Sequence, residues 1–275
     1  MKIRILRASA SDGCNSLVDG LQEEGHEVKR IKLRNSTYRG YPSHLIINWG
    51  RTSRLHIRDI HPIFNDPNSV KVAVNKRDTL RVLDRDGLGN YIPRFTTSLF
   101  GAVEFIERDC DEVYCRTMLR ASQGRGIIVA KEVHELVTAP LYTAKVDVDR
   151  EMRVHIFDKR VIDYAQKKRM GSARREADGR TEVPSEDIRN HSNGWIFARQ
   201  GITLPAKVKE VCLRAMEILK LDFGAIDVAI TPQGIPKILE VNTAPGLEGS
   251  TLIAYKNAFN RLIQEVQFCG RMCSM

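Results

Sequence analysis

Residues 225–250 read AIDVAITPQGIPKILEVNTAPGLEGS. Residues 225–231 and 235–241 are rich in β-branched side chains, and Pro232, Gln233 and Gly234 break the run between them, which predicts a β-hairpin followed by a loop. With Gln233-Gly234 as a two-residue turn, Pro232 faces Ile235 and, counting outward, Asp227 faces Glu240. Asn242 lies two residues beyond Glu240 and points to the same side of the sheet. Two carboxylates directly opposite each other repel, so this placement calls for a cation between them or a raised pKa. Asp, Glu and Asn together are hard oxygen ligands that suit Mg²⁺ better than Zn²⁺. Mg²⁺ held by one or two carboxylates usually completes its shell with nucleotide phosphates. On pairing alone, a solvated sheet face carrying ordinary charges is the alternative.

Working outward, the chain has 275 residues, enough for one large domain or two to three small lobes. Its composition is that of a soluble globular protein, no apolar run approaches a membrane span, and the start, MKIRILRAS, reads as a first strand rather than a signal peptide. The net charge of +9 points to an anionic partner, with a generally basic surface as the plain alternative. Six cysteines, at 14, 110, 115, 212, 269 and 273, match no zinc or disulfide framework. Free thiols in a reducing compartment, the cytoplasm, are the expectation.

Strands are expected over 2–6, 26–33 and 44–49, with a turn region over 8–15 and a helix over 16–24 ended by Gly25. This gives a small α/β lobe over residues 1–70. An apolar, strand-like run over 70–75 leads into a helix over 76–83, and a second helix is expected over 98–108. Strands follow over 113–119 and 127–131, then over 141–148, 153–157 and 161–166. Residues 171–184 read as a polar loop, 207–219 as an amphipathic helix, 250–266 as a closing helix and 267–275 as a frayed tail.

Three further groups of residues carry chemistry. The loop at 120–126 lies between two strands, so it is not a Walker loop, which opens a helix. A Gly-rich hairpin tip can still turn several backbone N–H groups onto one anion, with Arg116 and Arg125 adding charge; a flexible turn is the alternative. Lys76 opens a helix just past a strand, where a cation can reach a phosphate. Glu151 and Arg153 share a strand face, with Gln166, Lys168 and Arg169 on a neighbouring strand; a surface ion-pair ladder is the alternative. Residues 242–251 place hydroxyls and amides immediately before a helix, which is either an anion site or an ordinary N-cap.

The string LEVNTAPGLEGST, preceded by DFGAIDVAIT, resembles the C-terminal signature of the ATP-grasp superfamily, with ribosomal-protein glutamate ligases and D-alanine–D-alanine ligases as the nearest branches. NKRDTLRVLDRDGLGNYIPRF resembles that family's segment leading into its small lobe, and VYCRTMLRASQGRGIIV its phosphate-covering loop. The resemblance covers residues 44–260 and implies an α/β fold of α+β lobes with the nucleotide between two of them. The expected parts are a short N-terminal lobe (1–70), a small ATP-grasp lobe (71–145), a C-terminal lobe with the metal site (146–266) and the tail. By position, Asp227, Glu240 and Asn242 would hold two Mg²⁺ ions, with Mn²⁺ as a substitute. Lys76 and Arg116 would touch ATP phosphates beneath the loop at Gln123, Gly124 and Gly126. Lys145 and Val146 would sit at the adenine hinge and Glu151 at the ribose. Arg153 and Lys168 would face the acyl phosphate, and Ser250 and Tyr255 the acceptor. Two departures stand out: Arg116 replaces the family's second phosphate lysine, keeping the charge but as a planar fork, and Ala144 replaces a hinge glutamate.

The implied reaction is ATP-dependent ligation of a carboxylate to an amine through an acyl phosphate, on amino-acid or peptide substrates. A small-molecule kinase using the same nucleotide site, or a basic nucleic-acid-binding protein, are the rival expectations; no aromatic-interleaved basic stretch favours the latter. A homo-oligomer is compatible with the resemblance.

Overall fold

The computed structural model describes residues 1–9, 11–32, 36, 38, 40, 44–53, 63–109, 112–121, 124–171 and 194–272. Gln123, Cys110 and nearly all of the polar loop expected over 171–184 lie outside them. Among the described residues three sheets carry the fold. The first is parallel, β1 (Lys2–Arg7), β2 (Glu27–Arg30), β3 (His44–Trp49) and β4 (Ile63–Phe64), in the order β2-β1-β3-β4. Parallel neighbours need a crossover, which α1 (Asp12–Glu23) supplies between β1 and β2. This helix starts earlier than its periodicity predicts, inside the expected turn, because the Ser11 hydroxyl accepts from Cys14 N at 3.3 Å and so caps its first turn. It ends where expected, at Gly25, whose φ of +81° suits a residue without Cβ.

The run at 70–75 is not a strand. It belongs to α2 (Pro67–Ala73), whose start is marked by the Asp66 carboxylate accepting from Asn68 N at 2.7 Å and by Pro67 in the first turn. Lys76 therefore opens α3 (Lys76–Leu83) after a helix, with Asn75 as its cap. The second sheet is antiparallel: β5 (Phe95–Thr96), β6 (Val113–Arg116), β7 (Ile127–Ala130) and β8 (Leu141–Ala144), in the order β5-β8-β6-β7, backed by α4 (Leu99–Glu104).

The third sheet positions the site. It comprises β9 (Arg150–Phe157), β10 (Arg160–Arg169), β11 (Trp195–Ala198), β12 (Phe223–Ile230) and β13 (Pro236–Asn242), in the order β11-β10-β9-β12-β13, all antiparallel. One face is aliphatic: Met152, Val154, Ile156, Ile226 and Val228 pack against Val208, Val211 and Ala215 of α5 (Ala206–Ile218) and against Val70, Leu80 and Leu83. The other face changes character along its strands. At one end Phe157 and Phe223 meet Trp49 of the first sheet and Tyr255 and Phe259 of α6 (Gly249–Met272) in an aromatic cluster. Toward the other end the same face carries His155, Arg153, Glu151 and Asp227. The last helix continues through Met272, across most of the segment expected to fray.

Asn65 locks the first sheet to the third. It is fully buried with φ +63°, a conformation Asn tolerates better than most residues. Its Nδ2 donates to Phe223 O at 2.8 Å, its Oδ1 accepts from Asp222 N at 2.8 Å, and its carbonyl accepts from Asn48 Nδ2 at 2.8 Å.

Candidate functional site

Asp227 and Glu240 are register partners on β12 and β13, as the sequence predicts, but the turn that puts them there differs. Thr231 N donates to Ile235 O, so Thr231 and not Pro232 faces Ile235, and Pro232-Gln233-Gly234 forms a three-residue loop with Gly234 at φ +77°. That loop alone would oppose Asp227 to Leu239. An irregularity between Asp227 and Val228, which pairs with Ile238, shifts the register by one and restores the carboxylate pair. Asn242 pairs with Ala225, on the same face.

Glu240 and Asn242 border a cleft of about 220 Å³ whose walls also include Lys76, Arg116, Arg120, Arg125 and Thr143. The Lys76 ammonium donates to Ala121 O and stands 3.4 Å from Glu240 Oε1. Arg116 Nε donates to Thr143 Oγ1 at 3.2 Å; burial lowers its pKa, while the Glu240 charge works against that shift. The hairpin between β6 and β7 closes with Gly124 at φ +79° and Gly126 at φ +74°, and Thr117 N donates to Gly126 O at 2.8 Å. A side chain at Gly126 would start 2.7 Å from Met118 Cγ.

Asp227 is 5% exposed. Burial alone would raise its pKa, but the Arg153 guanidinium grips both its oxygens, from Nε at 2.7 Å and Nη2 at 2.8 Å, and with Lys167 nearby holds it down to about 2. Arg153 in turn lies over the Phe197 ring, 4.6 Å from its centroid. The Glu151 carboxylate, also buried, accepts from Lys167.

Several expected positions move. Lys168 is exposed, and Lys167 stands in its place beside Glu151. The turn Asp158-Lys159, with φ of +45° and +59°, would put Gln166 and Lys168 on the Glu151 face. A bulge between Val161 and Asp163 shifts β10 by one residue and exchanges its two faces. Tyr255 does not face an acceptor: it is fully buried, its hydroxyl donating to Gly224 O at 3.1 Å. Ser250 is exposed at the start of α6. The Lys145 ammonium turns to Glu112 at 2.8 Å, and Val146 follows it, half-buried.

Sequence reasoning missed a second polar group on the same face. Arg199 grips Asp163, with Nη2 to Oδ2 at 3.0 Å, and also donates to Thr251 Oγ1 at 2.6 Å, while the Thr251 hydroxyl donates to Asp163 Oδ2 at 2.5 Å. The bulge that hid Lys167 also brings Asp163 opposite His155. Burial, with the Arg153 charge adding to it, depresses the pKa of His155 to about 4; Asp163 and Asp227 oppose this, Arg199 reinforces it, and Tyr255 lies 3.4 Å away. A folded pKa below the unfolded value of about 6.5 means that the folded state binds this proton less readily. The associated stability is present above pH 6.5 and is lost as pH falls toward 4, by about 3 kcal/mol. Urea titrations across that window should show the loss, and His155→Asn should flatten it; an unchanged slope in the variant would remove His155 as the cause.

The donor set fits Mg²⁺. Among the described residues no three His, Cys, Asp or Glu side chains cluster as a metal site. Asp227, Glu240 and Asn242 carry hard oxygen donors of the kind Mg²⁺ takes, with both Asp227 oxygens held by Arg153 in this arrangement.

No family model matches the chain. A probable alpha-L-glutamate ligase from Serratia proteamaculans (strain 568) is 25% identical over 300 aligned positions, covering 98% of this chain and 97% of the relative. A second protein of that name, from Parasynechococcus marenigrum (strain WH8102), is 22% identical; 74% of this chain is matched, spanning 43% of the relative's length. The crystal structure of D-alanine–D-alanine ligase from Bacillus anthracis complexed with ATP superposes with a TM-score of 0.63 at 14% identity, covering 96% of this chain and 99% of that one. Near-complete coverage in both directions, in sequence and in fold, agrees with the sheets and the carboxylate hairpin described above: this chain has the fold of the ATP-grasp ligases and is similar in sequence over its length to a probable alpha-L-glutamate ligase.

Proposed function

We propose that the chain is an ATP-dependent carboxylate–amine ligase acting on amino-acid or peptide substrates. One observation carries this reading: Glu240, the register partner of Asp227, lines with Asn242 a cleft whose other walls supply Lys76, Arg116, Arg120 and Arg125. Acidic and basic groups converging on one cleft suit a metal-bound triphosphate. In this reading Lys76 and Arg116 neutralise phosphate oxygens, and the hairpin ending in Gly124 and Gly126 covers them with backbone N–H groups. Asp227, Glu240 and Asn242 would hold Mg²⁺, which when bound screens the triphosphate charge. In this reading Arg153 would hold the transferring phosphoryl group, with Lys167 in place of Lys168 beside the Asp227 carboxylate that Arg153 bonds. A substrate carboxylate attacks the γ-phosphorus, forming an acyl phosphate and releasing ADP. An amine then attacks the acyl carbon, the C–O bond to phosphate breaks, and an amide, phosphate and a proton result.

The full-length relative's name favours L-glutamate as the amine. Incubation with Mg²⁺-ATP, L-glutamate and a panel of peptides should release ADP and free phosphate in equal amounts with an amide product. Phosphate retained on the product would select a kinase instead. Salt-sensitive nucleic-acid binding without ADP formation would overturn both.

A further inference from the structure

At the carboxyl ends of β1 and β3, three buried nitrogens have no hydrogen-bond partner among the described residues: Arg7 Nε, Trp49 Nε1 and Arg51 Nη1. Arg7 and Trp49 are register partners, and Arg51 follows Trp49 across Gly50. The neighbouring polar groups are satisfied: Arg51 Nε donates to Ser53 Oγ at 3.0 Å, and the Arg51 backbone exchanges two hydrogen bonds with the Asn48 amide. Trp49 itself is 1% exposed and fixed against Phe223 and Tyr255. A buried donor left unmade is costly, and folded proteins rarely leave several together. All three atoms are donors, and two belong to guanidinium groups. An acceptor would complete them, and the two guanidinium groups favour an anionic one. A planar carboxylate matches the guanidinium fork better than any neutral acceptor.

The location agrees. In open parallel sheets ligands bind outside the carboxyl ends of the strands, and α1 begins at this same end of β1. Gly50, at φ +80°, lets the backbone approach residue 244 closely: a Cβ there would lie 2.9 Å from Ala244 Cβ. Gly50 and Ala8 line the same cleft as Glu240 and Asn242.

We propose that Arg7, Trp49 and Arg51 form a carboxylate subsite that holds the non-reacting carboxylate of an amino-acid substrate beside the nucleotide cleft; the substrate role, though not the binding itself, rests on the ligase reading. The test titrates L-glutamate into the nucleotide-free full chain, followed by calorimetry and by tryptophan fluorescence. L-glutamine and L-isoglutamine serve as probes that each lack one carboxylate. Wild type should bind L-glutamate and lose affinity for one of the two amides. Arg7→Met and Arg51→Met should each weaken L-glutamate by about tenfold or more, with partial rescue by Arg51→Lys. Trp49→Phe, which keeps the ring packing, should weaken it by a smaller factor. Because the removed donors are unsatisfied without ligand, the ligand-free Tm of these variants should equal or exceed that of wild type. Wild-type affinity in both arginine variants, no L-glutamate binding by wild type, or a ligand-free Tm lowered by several degrees would each overturn the subsite. Mg²⁺-ATP binding is measured on the same samples. Its absence would sink the ligase reading and leave the carboxylate result standing.

Discussion

Glu240→Gln is expected to reduce ADP release by at least about a hundredfold, the scale seen when one charge-stabilising group is taken from a phosphoryl-transfer site. Glutamine keeps the shape of the side chain but removes the charge that, in the proposed ligase, would hold Mg²⁺ together with Asp227 across the hairpin. The fold should persist, because the Glu240 side chain is 27% exposed and its ion pair with Lys76 is long, at 3.4 Å. Such a pair contributes about 1 kcal/mol or less. Calorimetric titration of Mg²⁺-ATP and a coupled ADP assay separate binding from turnover. Near-normal ADP release by a well-folded variant would refute the assignment of Glu240 to the metal.

Arg153→Met should be the most destabilising change at the site. It removes both hydrogen bonds to a carboxylate that is 5% exposed, and leaves that charge buried without its main counter-ion. Breaking a buried pair from one side costs about 3–5 kcal/mol, which for a chain of this size lowers Tm by about 10 °C. Loss of the contact with the Phe197 ring adds to this. The double variant Arg153→Met/Asp227→Leu should recover much of the loss, since removing both charges together strands neither. If the single variant melts within a degree or two of wild type, Lys167, 4.0 Å from Asp227, would have to carry the charge instead.

Much of the site was legible because its logic is local. β-branched runs, a Gly/Pro break and the spacing of Asp227, Glu240 and Asn242 are properties of one hairpin, and the structure pairs these residues as counted. Yet the counting contained two departures from the real geometry that cancelled: the loop is one residue longer than assumed, and the irregularity beside Asp227 restores the register. On β10 the bulge between Val161 and Asp163 has nothing to cancel it, so Lys167 stands beside Glu151 where Lys168 is the expectation. A bulge has no dependable sequence signal, and its effect on a period-two pattern is to exchange faces. The Asp163–Arg199–Thr251 group was invisible for another reason: its members come from three elements far apart in sequence. The helix at Pro67–Ala73 was missed although its Asp-Pro start was available, because its apolar run is as short as a strand.

The aromatic cluster beneath the site joins the first and last thirds of the chain. Ile3, Ile5, Leu45 and Trp49 come from β1 and β3, whereas Tyr255, Phe259 and Ile263 come from α6, about two hundred residues further along. A nascent chain emerging from the ribosome can form β1, α1 and β3 but has nothing yet to cover that side of Trp49. The lobe built on β1 and β3 must therefore wait, partly uncovered, until about two hundred further residues have been translated, and this interval is where chaperone engagement or misassociation of the newborn protein would concentrate.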